Sequence, residues 1–221
     1  RAGELAYLLE PDLKEARGGL RDIQALRAIS LSAAIAVPLE KISWAEGTLN
    51  NVRETLHIAS GRGKDRLLFQ EQDKVAKLLN YPDADAMMSD VARAARTVDY
   101  LLNYTWHALE HKEKDGLGRI LKRPRITTVA KNVSASNREI VIDPFTSLND
   151  DPVCGLRAAA TAAQLGLPLS LDTCTELSEN LKSGQGKLPT PWPREARELL
   201  ISLIGAGEAM VGIFESLDQE E

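Results

Sequence analysis

The sequence predicts an all-α protein: a helical bundle with one long helix and a small β-hairpin insertion. Three observations carry that reading. Apolar residues recur every three or four positions through most of the chain. Proline and glycine punctuate these stretches at intervals that suit short connections. After Arg123-Pro124 the pattern switches to segments rich in Ile, Val and Thr. The 221 residues suffice for one large domain or two small ones with a substantial core. A hydrophobic share of 43% with 27% charged residues is that of an ordinary globular chain. The net charge of -5 offers no broad attraction to nucleic acid or an anionic membrane, so neither is expected as a partner. No apolar run approaches the roughly 20 residues that span a bilayer. Cys154 and Cys174 sit in apolar helical contexts and read as reduced core residues, which fits a cytoplasmic setting.

Taken in order, Leu5, Tyr7 and Leu9 alternate with their neighbours as in a short strand, which Pro11 ends. Leu20, Ile23, Leu26 and Ile29 predict a helix opening at the pair Gly18-Gly19 and closed by Pro38. Leu49, Val52, Leu56 and Ala59 form one stripe from Trp44 to Ser60, broken by Gly61-Arg62-Gly63. A second helix is expected from about Asp65 to Asn80. Pro82 then leads into the long helix, carrying Met87, Val91, Ala94, Val98, Leu101 and Leu102; its roughly 28 residues would reach about 40 Å. Arg125 to Val129 and Ile140 to Asp143 flank Ser134-Ala135-Ser136-Asn137, a composition that predicts a hairpin with its tip there. Helices follow at Val153 to Leu165, Ser170 to Leu181 and Arg194 to Ile204, with a last one through Met210, Val211, Phe214 and Leu217. The domains are therefore expected as a helical bundle over 20–122, the hairpin over 123–146 and a C-terminal helical subdomain over 147–221.

The stretch EPDLKEARGGLRD, from Glu10 to Asp22, concentrates seven charged side chains around the glycine pair at a helix start. In LLEPDLKEARGGLRDIQAL it resembles the signature that follows the nucleotidyltransferase domain of bacterial PII uridylyltransferase/uridylyl-removing enzymes. Asp65-Arg66-Leu67-Leu68-Phe69 followed by Gln72 resembles the same family's next helix, in the matching order and spacing. ISLIGAGEAMVGIFESLD is similar, more loosely, to its segment before the hydrolase domain. The resemblance implies the middle of a longer cytoplasmic enzyme that uses UTP and magnesium to transfer UMP to the nitrogen-regulatory PII protein, and removes it. It also implies glutamine as effector, sensed by domains outside this chain. Both ends read as cut, and residues 1–19 as the trailing edge of an absent transferase domain. Neither a Gly-Ser with Asp-x-Asp nor a His-Asp doublet occurs, so catalytic and metal-binding residues are not expected here and the piece should be inactive alone; magnesium would be held mainly by the absent domain. The related adenylyltransferase of glutamine synthetase and a non-enzymatic PII-binding or domain-binding module are the alternatives.

Two readings of the charged stretch stay open. In one, Gly18 and Gly19 let backbone amides approach a phosphate at a helix start, with Lys14, Arg17 and Arg21 neutralising its charge. Glu10, Asp12 and Asp22 are then the supporting carboxylates. In the other, the glycines only make the turn, while Asp22 and Glu15 pair with Arg17 and Arg21. Arg62, Lys64, Asp65 and Arg66 form a second charged loop in which Asp65 is expected to cap the following helix. His107 and His111 stand four apart, as two metal ligands can, but read as a solvated helix end. His57 reads as a surface or partly buried residue, Asp83 and Asp85 as helix capping, and Trp44, Trp106 and Trp192 have no stacking register. Met210, Phe214 and Leu217 read as core or as an exposed stripe.

Overall fold

A computed structural model describes residues 3–32, 35, 37–115 and 126–219, with the backbone alone for 111–115. Among them eight α-helices and a small antiparallel sheet make a mostly helical chain. Two compact units divide it, Arg1–Gly116 and Leu117–Glu221.

The first unit is built on α1 (Leu20–Leu31), α2 (Leu39–Ser60), α3 (Phe69–Leu78) and α4 (Ala84–Asp115). In α2, Ile42, Ala45, Leu49, Val52 and Leu56 fall on one face and are almost wholly excluded from water. That face meets Val91, Ala94, Val98 and Leu101 of α4, along with Ile23 and Leu26 of α1. Gly61 ends α2 in the left-handed region at φ 66°, donating its amide to the His57 carbonyl. Asp83 opens α4 by accepting the Ala86 amide at 2.7 Å, the capping role its sequence context predicts.

Three expectations in this unit need correction. The segment around Leu5 is no strand: Leu5–Tyr7 forms a single 3-10 turn. Leu5 alone is buried there, whereas Tyr7 and Leu9 are exposed, so no alternating face exists to pack. α1 stops at Leu31, well before Pro38, with the Ser32 hydroxyl donating to the Ile29 carbonyl at 2.6 Å. α3 begins at Phe69 rather than near Asp65. The intervening residues are extended and pair with the charged stretch: Leu13 N donates to Asp65 O and Leu67 N to Pro11 O, each at 2.9 Å. Leu67 is fully buried by that pairing, which a helix starting at Asp65 would break.

The second unit holds β1 (Thr127–Ala130), β2 (Val133–Ser136) and β3 (Glu139–Ile142) in the order β1-β2-β3, then α5 (Cys154–Leu165), α6 (Leu171–Lys182), α7 (Arg194–Ile204) and α8 (Glu208–Asp218). The expected hairpin is thus a three-stranded meander, and the expected tip is its middle strand. Val133 pairs with Ile142 and Ser136 with Glu139, while the turns lie at Lys131-Asn132 and Asn137-Arg138. Asn137 and Arg138 both have positive φ, 52° and 62°, the sense of twist that a two-residue hairpin loop needs. Ser-Ala-Ser looks like a turn by composition. Its small side chains are what a strand pressed against a helix accommodates, and α5 packs on all three strands. α5 is itself alanine-rich, burying Ala158, Ala159, Ala160, Ala162 and Ala163, so neighbours approach it closely. The outer edge of β3 is covered by the α5–α6 connection, where Ile140 N donates to Pro168 O at 2.8 Å and Ser170 N to Ile140 O at 2.9 Å. Ser170 caps α6 through the Thr173 amide. Cys154 and Cys174 are unbonded to each other and buried, and burial pushes the Cys154 thiol up to about 11. Of the C-terminal stripe, Met210 and Leu217 pack against the core, while Phe214 is 46% exposed. No single helix among the described residues is long and apolar enough to cross a membrane.

Candidate functional site

The charged stretch from Glu10 to Asp22 is folded into a seam that touches three distant parts of the first unit. Its first anchor is backbone pairing. Leu5 N donates to Arg17 O and Arg17 N to Gly3 O, each at 2.9 Å, while the other side of the stretch pairs with residues 65–67. Leu13 and Ala16 point into the core between these contacts.

The glycine pair is the second anchor. Gly18 adopts φ 84°, and a Cβ there would stand 2.5 Å from the Ala95 carbonyl oxygen of α4. A Cβ on Gly19 would stand 2.8 Å from the Ala16 carbonyl oxygen and 2.9 Å from that of Leu13. Both positions are buried. Their amides are occupied within the fold: Gly18 N donates to Asp22 Oδ2 at 2.8 Å and Gly19 N to Ala16 O at 2.9 Å. The glycines thus allow the turn to lie flat against α4.

The third anchor is charge. Arg17 donates through Nε to Asp99 and through Nη2 to Asn103 Oδ1 at 2.8 Å, tying the seam to α4. The Asp99 hydrogen bond holds the Arg17 guanidinium above its ordinary pKa. Arg21 pairs with Glu15 at 2.5 Å on the open side and is 64% exposed. Asp22 turns to the Gly18 amide. Lys14 has no side-chain ion pair or hydrogen bond among the described residues.

The three supporting carboxylates each bind backbone amides. Glu10 Oε1 accepts from Phe69 N at 3.1 Å at the start of α3, with Arg66 Nη2 3.3 Å from its other oxygen. Asp12 Oδ1 accepts from Lys14 N at 3.0 Å and Glu15 N at 2.7 Å. Such carboxylates shape a loop by satisfying its backbone amides. No group of three or more His, Cys, Asp or Glu side chains able to hold a metal occurs among the described residues.

The neighbouring charged loop is also committed. Asp65 does not cap α3. It accepts from Arg53 Nε at 2.6 Å and lies 2.9 Å from His57 Nε2, so it latches α2 to the strand-like segment beneath the seam. Burial pushes its carboxyl up, but the hydrogen bonds from Arg53 and His57 outweigh that and hold it below the ordinary value. Arg62 and Lys64 remain exposed beside it. The Trp44 ring lies 4.4 Å beneath the Arg93 guanidinium. His107 lies on α4, and the side chain of His111 falls outside the described residues.

One cluster was missed by sequence reasoning altogether. Arg157 of α5, with only 6% of its side chain exposed, binds Asp151 at 2.9 and 3.3 Å and Glu195 of α7 through Nε at 2.7 Å. It also donates to the Lys131 carbonyl at 3.1 Å. Asn132 adds a hydrogen bond to Asp151 at 2.9 Å. These residues are scattered over more than sixty positions, and only the Asp150-Asp151-Pro152 run before α5 hinted that one of them matters.

Comparison with known proteins gives a consistent set of relatives. The family model described as GlnD PII-uridylyltransferase matches residues 1–43 and 35–106. The bifunctional uridylyltransferase/uridylyl-removing enzyme of Streptomyces coelicolor is 42% identical over 240 aligned positions, covering 100% of this chain and 27% of that protein. Its namesake in Mycobacterium tuberculosis is 34% identical over 231 positions, 99% of this chain and 28% of that protein. The Corynebacterium glutamicum protein of the same name is 30% identical over 196 positions, 89% of this chain and 27% of that protein. The chain thus spans about a quarter of the length of the curated relatives it matches. No solved structure matches it.

Proposed function

The chain belongs to the GlnD PII-uridylyltransferase family, and from that premise we propose that it is the helical support region of an enzyme that transfers UMP from UTP to the PII protein and removes it again. The observation that carries the reading is the seam. A family signature is pinned to α4 and to the segment before α3, with Arg21, paired to Glu15, on its open side. In this reading Lys14 and Arg21 face the phosphates of UTP. Arg17, Gly18, Gly19, Asp12 and Asp22 hold them in place, and Glu10 fixes the start of α3. Phosphoryl and nucleotidyl transfer depend on in-line positioning and on neutralising developing charge, so a rigid cationic edge serves such a reaction without itself carrying a nucleophile. Magnesium belongs to residues outside this chain. PII as target, glutamine as effector and a cytoplasmic setting are parts of the same proposal, as is the inactivity of the chain by itself.

The test is calorimetric titration of UTP with magnesium into this chain and into the longer protein, with Lys14→Ala and Arg21→Ala made in the latter. The isolated chain should bind and turn over nothing, and each substitution should weaken UTP about tenfold in the longer enzyme, the loss expected of one charge-assisted contact. If both variants keep the parent's UTP affinity and transferase rate, the seam has no nucleotide role. Retention of PII by the isolated chain would instead favour a docking module.

A further inference from the structure

The outward side of α7 changes character along its length. In the first turns it carries Arg194, Arg197 and Glu198, as an ordinary surface helix does. In the last turn it carries Ile201 and Ile204, 70% and 57% exposed. Across the connection at 205–207, α8 continues with Val211 and Phe214, 51% and 46% exposed. The inward sides of both helices are already satisfied, since Leu203 and Ile213 are buried in the core of the second unit. All four outward side chains lie within about two helical turns of the 112° bend between the helices. They make an apolar knuckle, and apolar surface gathered in this way marks an interaction site where single exposed residues do not. Gly212 adds an independent sign. It stands inside α8, where glycine costs about 1 kcal/mol relative to alanine, yet a Cβ there would meet nothing within 4 Å. Its own unit has no use for the missing side chain; a surface lying close on the α8 backbone does.

We propose that the α7–α8 knuckle is the docking face for the remainder of a longer polypeptide, and that it takes an apolar surface rimmed by lysine or arginine. The relatives supply the occupant. The Streptomyces coelicolor protein matches 100% of this chain, α7 and α8 included, within 27% of its own length, so about three-quarters of that polypeptide lies outside the matched region. Charge supplies the rim: α8 contains Glu208, Glu215 and Asp218 and no Lys, Arg or His. Two copies of α8 facing each other across a two-fold axis would set these acids together, and the same acids oppose an anionic lipid surface. The inference rests on family membership and not on the nucleotide role of the seam.

The test makes Ile204→Cys and, separately, Val211→Cys in this chain and in the longer protein, and reads alkylation by iodoacetamide at that residue by mass spectrometry. Alkylation should be about tenfold slower in the longer protein. Adding Ile201→Glu should restore the rate seen in the isolated chain, while leaving the melting temperature of the isolated chain unchanged. Deuterium uptake by residues 199–214 should fall in the same comparison, a readout that needs no variant. Equal alkylation and equal uptake in the two proteins would overturn the proposal. So would a dimer of the isolated chain that Ile201→Glu dissolves, which makes a second copy the occupant, or sedimentation with phosphatidylcholine vesicles, which makes it a lipid surface. None of these readouts depends on UTP.

Discussion

Arg17 and Arg157 each reach across their units, Arg17 to one carboxylate and an amide and Arg157 to two carboxylates, but one does so in partial contact with water and the other almost dry. The Arg17 side chain is 34% exposed and its partner Asp99 27%, against 6% and 11% for Arg157 and Asp151. Half-hydrated ion pairs are worth little. A buried pair is different: it need not add net stability, yet removing one member leaves the other charged and dry. The seam therefore derives its rigidity chiefly from backbone pairing and from the fit of Gly18 and Gly19 against their neighbours. In the second unit the guanidinium itself joins the β1–β2 turn, the loop before α5 and the start of α7.

This contrast can be broken most forcefully at Arg157. Arg157→Ala strands Asp151 and the Lys131 carbonyl, and should cost about 3–5 kcal/mol. Urea unfolding followed by Trp192, the one tryptophan among residues 117–221, would show it as an earlier transition in that unit. In the first unit the comparable blow is to shape. Gly18→Ala forces a left-handed residue against the Ala95 carbonyl, for about 2–3 kcal/mol of destabilisation. Trp44 and Trp106 fluorescence in the same titration would report it.

Glu139 sharpens the comparison through pH. Burial, with Asp172 nearby, pushes its carboxyl up from 4.5 to about 7. The folded chain then keeps a proton that the unfolded chain has lost, so this contribution is fully present below about 4.5 and fades as pH rises through about 7. Glu139→Gln should be neutral at pH 4 and stabilise the second unit at pH 8 by on the order of 1–2 kcal/mol. Thermal melts across that range would check the sign. The smallest effect belongs to the open side of the seam. Arg21→Ala should change stability by no more than about 0.5 kcal/mol, which makes it a clean probe of ligand binding.

How much of this was legible in the sequence depended on the range of the forces involved. Local periodicity placed α7 correctly to the residue, and the turn at Gly18-Gly19 was readable from composition. The contacts that define the seam were not readable. The pairing of Asp12 with Arg66 spans more than fifty residues, and nothing local in DRLLF says that its first residues are extended. Asp65 looked like a cap because it precedes an apolar helical run; its real partners lie on α2. The middle strand of the sheet was hidden by the opposite ambiguity, since Ser, Ala and Asn serve equally in turns and in tight strands. The charge-rich segment drew attention by its density. The more deeply buried network escaped because its members are far apart in the chain. Phe145 lies at φ 73°, and no feature of composition announces it.

The strap from Pro168 to Ser170 along the outer side of β3 bears on association. An uncovered strand edge is a template on which another chain can add, and small sheets are prone to such growth. Here the positions of β3 that would recruit a second molecule are already taken by the protein's own connection, through the amide and the carbonyl of Ile140. That edge of the sheet is thereby closed to a further strand by the protein's own backbone and by the Thr173 hydroxyl on the Ile142 amide, at no cost in charged residues.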